Sequence, residues 1–399
     1  MREVTMRRVR IDRPVSPGAT LARDVTGPFG GMIARAGHPL SRRTMHALVG
    51  RGVRWCYVDD FWGGDLDVTP LDGGHTSVRP LLRDVERRMT IAVAPLLKLS
   101  TGRAIEVLRS SHPTAPVRRG RSMWELPGAI ETFIADCAEA TPAAGYLPDR
   151  VAAHDEIGHS IAVAALTSRI ASILGLDAQE QVAAVGAALF HDIGMLFVPR
   201  TIRLTPHLEQ SIPQQRRVQD HALLGEAMLE PFGRSWMHLA IVAGEHHEST
   251  DGSGYPRHRE GGQRVLRTAE EKRDVQRTTL LSEIVAVADA YELSPSADTD
   301  GQQSAAVRTA LARAAGRRLN REIVDRFLGS FPAFPVGTEV RVTRGPHEGM
   351  YGIVTSATAG DAAQPRLRLY VDAAGRFIEP FEVSLAQEHE TTIKVVDAA

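Results

Sequence analysis

The sequence predicts a multidomain chain in which a central all-α domain lies between a small mixed α/β N-terminal domain and a small C-terminal β domain. From about residue 148 to 332, apolar residues recur at helical spacing. After Pro335 they alternate with polar residues in short segments, as in half-buried strands. Before residue 64, short strand-like segments are separated by Pro-Gly and Gly-Gly turn signals.

Composition limits the class of protein. The 399 residues suggest about two to four domains, and 43% hydrophobic with 24% charged residues is ordinary for a globular protein. The formal net charge of -1 gives no electrostatic sign of a nucleic-acid or membrane partner, so neither is expected. Two cysteines far apart fit a reducing compartment, and the chain shows no signal-peptide pattern and no apolar run of roughly 20 residues. We therefore expect a cytoplasmic protein.

The predicted N-terminal domain covers residues 1–64 and is of a regulatory type. The segments VRI and MIA are candidate strands, and VRWCYVDD is a further one. Between them, Ser41 has the position of an N-cap for a short helix that ends near Gly50 and Gly52.

Residues 65–147 are predicted to form a helical connecting region. Its first residues, 65–78, resemble a linker, and apolar residues at 81, 85, 89, 92 and 96 then share one helix face. Pro95 is expected to bend or end that helix. The stretch HPTAPVRRGRSMWELP is predicted to be a loop, and a short helix with Ile130 and Phe133 follows it.

The central domain, residues 148–332, is predicted to be helical throughout. One helix carries His159 on its apolar stripe and ends at Gly175, a natural helix terminator. Asp177 and Glu180 have the spacing of a capping box for the next helix, which runs into the segment ALFHDIGMLFVPR.

Residues 333–399 are predicted to form the small β domain. The segments TEVRV, YGIVTS, RLRLYV, FIEPFEV and TIKVV alternate apolar and polar residues and are separated by glycine-containing turns. This pattern is compatible with either a small barrel or an open sheet.

Histidines and aspartates lie on, or at the end of, several apolar helix stripes in the central domain. A single inward histidine is more often a core residue with ordinary hydrogen-bond partners. Together, however, such groups are costly to bury, and a cation would satisfy all of them at once. The seven candidate ligands are His159, His191, Asp192, His221, His246, His247 and Asp289.

Seven ligands exceed the coordination of one tetrahedral ion, so the set predicts two divalent transition-metal ions. Asp192 is the natural bridging residue, because each oxygen of a carboxylate can face one ion. Imidazole and carboxylate ligands without cysteine favour iron, with manganese as the alternative, over structural zinc.

The segment EHHESTDGSGYP places two adjacent histidines at a helix end and a glycine-rich loop after them. Gly252 and Gly254 allow positive φ angles and a close approach of the backbone to a ligand. Tyr255 could stack on a ligand or donate a hydrogen bond. The alternative is a tight loop between helices without a binding role.

HDIG followed by HHxxxDGxGYP resembles the signature of the HD-GYP domain, a subgroup of the HD phosphohydrolases. The order of the seven candidates over about 180 residues is similar too, and both flanks look like the small N-terminal domain and β tail that often accompany such domains. The resemblance implies an HD-type helical fold with a di-iron or related site. It makes the seven candidates the metal ligands, with His191 and Asp192 as the catalytic pair.

The resemblance also implies hydrolysis of cyclic di-GMP, or of another cyclic dinucleotide, to linear pGpG and on to GMP. A third ion, which some members hold one turn before the first histidine, would involve Asp155 or Glu156. The loop would serve GGDEF-type protein partners as a docking surface, and a homodimer is kept as an open alternative. The implied substrate-binding residues are Gly252, Gly254, Tyr255, Pro256, Arg200 and Met195.

The sequence departs from the family at the phosphate-binding positions. The usual motif is HDIGK, whose lysine helps to hold the phosphate; here Met195 offers neither charge nor hydrogen-bond donor. After Asp289 no arginine follows before Arg308, so Arg200 or Arg203 is the candidate replacement. Two alternatives stay open: a signalling module that binds nucleotide or partner proteins with weak or no turnover, and a phosphohydrolase of mononucleotides.

Overall fold

The fold consists of a helical bundle with short strands before it and an antiparallel sheet after it. This arrangement confirms the predicted fold class. The computed structural model describes residues 7–10, 15, 18–26, 32–51, 53, 55–61, 66, 73–139, 156–293, 303–330, 334, 336–357, 364–388 and 390–395.

In the part of the N-terminal region that the structure describes, there are one helix and five short strands. β1, β5 and β2 form an antiparallel sheet in the order β1-β5-β2, and β3 pairs with β4. The predicted cap is confirmed, because the Ser41 hydroxyl accepts the backbone N–H of Thr44 at 3.1 Å. The elements are β1 (Arg7–Arg10), β2 (Thr20–Leu21), β3 (Val25–Thr26), β4 (Met32–Ala34), α1 (Arg42–Val49) and β5 (Trp55–Asp59).

The connecting region has four helices: α2 (Gly73–Val93), α3 (Thr101–Ser111), α4 (Ala115–Arg118) and α5 (Arg121–Glu139). As predicted, α2 ends before Pro95, which lies in a single 3₁₀ turn. The predicted loop at 112–127 is wrong, because α4 and the start of α5 lie there.

Packing explains the error at 112–127. Met123, Leu126, Ile130 and Phe133 are all buried and follow each other at helical spacing, so one face of α5 packs into the core. Burial of that face outweighs the hydrogen bond that Pro127 costs inside the helix.

Within the described residues, the central part contains eight α-helices and an irregular segment. The predicted capping box of α7 is confirmed, with Asp177 and Glu180 each accepting the other's backbone N–H. The glycine-rich loop after the adjacent histidines is present as predicted, but it continues to residue 279, so the prediction of helix throughout is wrong for 257–279. The helices are α6 (Glu156–Leu174), α7 (Ala178–Phe190), α8 (Arg200–Arg203), α9 (Ile212–Leu229), α10 (Met237–Glu245), α11 (Leu280–Glu292), α12 (Gln303–Ala314) and α13 (Arg321–Ser330).

One hydrophobic core unites the connecting region with the central helices. Buried side chains of α2, α3 and α5 belong to the same cluster as those of α6, α7, α9, α10, α11 and α13. Among the described residues, α6 is the one helix long and apolar enough to cross a membrane by length and composition. Its most apolar window is 72% buried inside the fold, and core helices pass the same test, so this is weak evidence for a membrane span.

The C-terminal strands form a five-stranded antiparallel sheet in the order β10-β6-β7-β8-β9. Within the described residues β9 and β10 are its two edges, which favours the open sheet over the barrel. The predicted domain boundaries at 64/65, 147/148 and 332/333 fall outside the described residues and stay predictions. The strands are β6 (Glu339–Arg344), β7 (Tyr351–Ser356), β8 (Arg366–Val371), β9 (Phe377–Ser384) and β10 (Thr392–Val395).

Candidate metal centre

Five helices bring the seven candidate ligands together. Each of these side chains lies on, or just after, a helix whose apolar residues are buried in the common core, so packing of the helices fixes the polar groups at its centre. α6 carries His159, the end of α7 is followed by His191 and Asp192, α9 carries His221, the end of α10 is followed by His246 and His247, and α11 carries Asp289.

The carboxylate of Asp192 lies between two groups of imidazoles. Its Oδ1 is 3.2 Å from His221 Nε2 and 3.5 Å from His246 Nε2. Its Oδ2 is 3.5 Å from His159 Nε2 and 3.6 Å from His191 Nε2. One oxygen therefore faces each pair of histidines.

In the first pair of imidazoles, the lone pairs of two Nε2 atoms face each other. His221 and His246 have their Nε2 atoms 3.2 Å apart. Their Nδ1 atoms donate to backbone carbonyls of their own helices, Val218 at 2.5 Å and Ala243 at 3.0 Å. A neutral imidazole has a single N–H, so both Nε2 atoms are acceptors and neither can donate to the other.

The second pair repeats this arrangement. His159 and His191 have their Nε2 atoms 3.2 Å apart. His191 Nδ1 donates to the carbonyl of Ala188 at 2.7 Å, and His159 Nδ1 donates to Glu292 Oε2 at 2.7 Å. Oδ1 of Asp289 lies 3.3 Å from His159 Nε2 and, within the described part of the chain, is buried without a hydrogen-bond partner.

These acceptors need a cation between them. Facing lone pairs repel, and a buried carboxylate oxygen without a donor is costly, so each pair at this spacing requires a cation, either a proton or a metal ion, between its nitrogens. Two nitrogens that bind one ion at about 2.1 Å, at angles of about 90–109°, lie roughly 3.0–3.4 Å apart. The spacing of both pairs fits this range. The donor set therefore fits two divalent ions that share Asp192. Two groups of ligand atoms lie close enough together to hold an ion. The first is Asp192, His221, His246 and His247, and the second is His159, His191 and Asp192.

Electrostatics favours positive charge at this centre. Burial opposes ionisation of Asp192, but the surrounding imidazoles outweigh it and hold its pKa well below the ordinary value. Burial likewise lowers the pKa of His159, but contacts with Asp192, Asp289 and Glu292 outweigh it and raise that pKa well above the ordinary value. A site that holds a proton this strongly also attracts a metal ion, since the two compete for the same Nε2.

The pKa of His247 is shifted in the opposite direction. Burial lowers its pKa well below the ordinary value, and the neighbouring His246 and His221 lower it further. The imidazole is therefore neutral, which is the form that binds metal.

The loop after α10 packs its tyrosine on a candidate ligand. The ring of Tyr255 stacks on that of His247, with centroids 4.7 Å apart and an interplanar angle of 28°. A Cβ at Gly254 would collide with backbone atoms of the preceding turn, and Gly252 has φ +72, so both positions require glycine. The peptide before Pro256 is cis. The predicted close approach occurs between parts of the loop itself.

Buried glutamates that the sequence analysis did not identify hold this loop in place. Glu248 accepts the backbone N–H groups of Arg257 and Arg259 at 2.7 and 3.0 Å. Glu245 pairs with the Arg259 guanidinium, and Glu283 accepts donors from the far end of the loop. Two of the three flank the adjacent histidines in EHHE, and that position is the signal that could have identified them.

Gly194 in HDIG lets two elements of the site touch. A Cβ there would lie 2.6 Å from the backbone nitrogen of Gly225 and closer still to the carbonyl oxygen of His221. The absence of a side chain allows α9 to pack directly on the 3₁₀ helix Ile193–Phe197. This contact brings His221 within reach of Asp192.

An open cleft reaches the centre at Asp192. Its walls include Leu82 and Glu86 of α2, Glu156 of α6, and Met195. Met195 therefore lines the same cleft as Asp192, and its contact with substrate stays a prediction. The contribution of α2 was not predicted, because no sequence signal links the connecting region to the histidines.

Of the remaining predicted site residues, the structure describes Glu156 and Arg200. Glu156 lines the cleft but forms an ion pair with Arg203, and Asp155 lies outside the described residues. Arg200 is exposed on α8 and does not line the cleft.

The family comparison matches the part of the chain that holds the centre. Residues 157–294, which include all seven candidate ligands, match the family model of the HD domain. This chain contains an HD domain. The predicted recognition is confirmed at the level of the HD domain, and the HD-GYP subgroup stays a prediction from the motifs.

The relatives of the HD domain include named phosphodiesterases. Two 3'3'-cGAMP-specific phosphodiesterases of Vibrio cholerae are 40% identical over 115 residues (28% of this chain, 24% of the relative) and 35% identical over 136 residues (34% and 27%). A cyclic di-GMP phosphodiesterase of Pseudomonas aeruginosa is 27% identical over 227 residues (56% and 50%). The chain thus spans between a quarter and half of the length of these relatives.

A solved structure also aligns with this chain. It is an HDG"Y"P protein from Bdellovibrio bacteriovorus, with 14% identity, a TM-score of 0.39, and coverage of 81% of this chain and 98% of the other. At this TM-score the superposition carries no structural argument.

Proposed function

We propose that the chain is a metal-dependent phosphodiesterase that hydrolyses a cyclic dinucleotide. The proposal is carried by two pairs of imidazoles. In each pair the Nε2 atoms face each other at 3.2 Å, and each pair lies beside one oxygen of Asp192. The similarity to named cyclic-dinucleotide phosphodiesterases supports the same class of substrate.

The proposed ligands divide into two groups that share Asp192. One ion would be held by His159, His191, Asp192 and Asp289, and the other by Asp192, His221, His246 and His247. Imidazole and carboxylate donors without thiolate support iron, with manganese as the alternative. Asp289 belongs to the first group because its unpaired Oδ1 lies beside His159 Nε2.

Two divalent ions bound there supply Lewis acidity toward a phosphodiester and toward water. In the net reaction water adds to phosphorus, the P–O3′ bond breaks, and O3′ leaves with a proton. The cyclic dinucleotide becomes a linear one with a 5′-phosphate. Within the chain, Asp192 keeps the two ligand groups together, and Glu292 keeps the proton of His159 on Nδ1 so that Nε2 faces the centre.

Cyclic di-GMP is our first candidate substrate, with pGpG and then GMP as products. 3'3'-cGAMP is the second, supported by the two relatives named for it. A divergent module with weak or no turnover is the remaining alternative, because Met195 gives the cleft no positive charge. We also propose, from the family resemblance, that GGDEF-type proteins dock on the loop at Tyr255. A homodimer stays an open alternative.

The test combines metal analysis with hydrolysis on the same sample. Anaerobically purified protein is expected to contain about two transition-metal ions per chain and to cleave at least one of cyclic di-GMP and 3'3'-cGAMP. His221→Ala should lose about one ion and the activity, because it removes a ligand of one group only. His46→Ala, an exposed histidine on α1, is the matched control and should keep both.

Less than one ion per chain in carefully reduced protein would contradict the dinuclear centre. Two ions with binding but no cleavage of either dinucleotide would favour the signalling module. Cleavage of mononucleotides alone would favour the other alternative, a phosphohydrolase of mononucleotides.

A further inference from the structure

Arg203 pairs with a carboxylate that lines the cleft. On α8, its guanidinium forms an ion pair with Glu156, and its side chain is 22% exposed. Burial lowers the pKa of Arg203, and the carboxylate of Glu86 acts in the opposite direction. Since Glu86 and Glu156 both belong to the wall of the cleft, Arg203 lies beside that wall.

The lining of the cleft has charge of one sign. Its charged residues are Glu86, Glu156 and Asp192, and no lysine or arginine is among the described residues that line it. A cyclic dinucleotide has two phosphates, each with one negative charge, so an acidic cleft repels it. Beyond the metal ions, binding therefore requires a cation beside the cleft, and Met195 provides none.

The guanidinium of Arg203 has spare hydrogen-bonding capacity. Arginine has five N–H donors, and here Nη1 serves Glu156. Nε is buried and, among the described residues, has no hydrogen-bond partner. An edge with Nε and one Nη is the geometry in which arginine binds a phosphate through two hydrogen bonds.

We propose that Arg203 binds a substrate phosphate in this cleft and takes the role for which Met195 has no charge. The inference rests on the proposed phosphodiesterase function. Glu156 holds the guanidinium beside the cleft, and a rotation of the side chain presents its free donors to the phosphate. Leu82 and Glu86 of α2 also line this cleft, so the proposed phosphate site borders the connecting region, which lies outside the HD-domain match.

The experiment compares cyclic di-GMP binding and cleavage by single variants of the full chain. Arg203→Ala should raise Kd and KM roughly 10- to 100-fold, the worth of a charge-assisted hydrogen-bond pair, while the metal content stays at the wild-type value. Arg203→Lys should recover part of the loss, because the charge remains and the bidentate geometry does not. Arg216→Ala, an exposed arginine on α9, is the control for removal of one positive charge.

A double variant separates phosphate binding from a structural role. Met195→Lys adds an ammonium to the same cleft, so Met195→Lys/Arg203→Ala should bind cyclic di-GMP more tightly than Arg203→Ala alone. A structural ion pair with Glu156 would not be restored in this way.

Three outcomes would overturn the inference. In the first, Arg203→Ala binds cyclic di-GMP as well as the wild type does. In the second, Arg203→Ala loses metal and melts at lower temperature, and Met195→Lys restores nothing. In the third, Arg200→Ala rather than Arg203→Ala weakens binding. A wild-type protein that neither binds nor cleaves a cyclic dinucleotide would overturn the proposed function itself.

Discussion

Replacing Gly194 with alanine tests how tightly the packing of α9 controls the metal centre. The new Cβ would lie 2.6 Å from the Gly225 nitrogen, whereas an ordinary contact begins at 3.4 Å, so the two backbones must separate by about 0.8 Å. The carbonyl of His221 lies closer still and requires a larger shift. Metal–ligand distances tolerate about 0.2 Å. The shift therefore exceeds what one ligand of the centre can follow.

The expected result is a loss confined to one half of the site. His221 moves with α9 away from Asp192, so Gly194→Ala should retain about one ion per chain instead of two. Overpacking of this kind also costs about 1–3 kcal/mol of folding free energy, and the melting temperature should fall by roughly 3–10 °C. Elemental analysis and calorimetry on the same sample measure both quantities.

A matched glycine separates the collision from the change of residue type. Gly128 lies inside α5 with no atom within 4 Å of a Cβ, so Gly128→Ala should keep both ions and leave stability equal or higher by up to about 1 kcal/mol. If Gly194→Ala retained two ions and the wild-type melting temperature, the packing argument for HDIG would be refuted.

Two further predictions concern residues at the edge of the centre. Glu292→Ala should weaken the affinity for the ion at His159 roughly 10- to 100-fold. Glu292→Gln should recover most of that affinity, because an amide oxygen still accepts the Nδ1–H of His159. Metal titrations that give the same affinity for both variants and the wild type would contradict this. Met195→Lys should raise turnover of cyclic di-GMP roughly 10- to 150-fold with metal content unchanged, through a charge-assisted hydrogen bond to phosphate. A lower melting temperature without gain in hydrolysis would instead identify Met195 as a core residue.

Local sequence signals were sufficient wherever the structure depends on local chemistry. Ser41 and the Asp177–Glu180 pair cap their helices as predicted, because capping involves backbone groups within three residues. The alternation after Pro335 predicted the C-terminal strands, since every second side chain of a strand faces the same side. Where the helical pattern was interrupted, as at 112–127, burial against other helices decided the outcome instead.

By itself, the sequence determined the kinds of groups at the centre and their order along the chain. Histidines and aspartates at the ends of apolar helix stripes had to meet in the core, because those stripes must be buried. Only the tertiary structure decided which groups face each other: the pairing of Nε2 atoms, the two oxygens of Asp192, the proton acceptor Glu292 and the cleft wall from α2. The two Nε2 pairs and the contact of His159 with Glu292 join residues 25 to 133 positions apart, and spacing along a chain does not encode the packing of one helix against another.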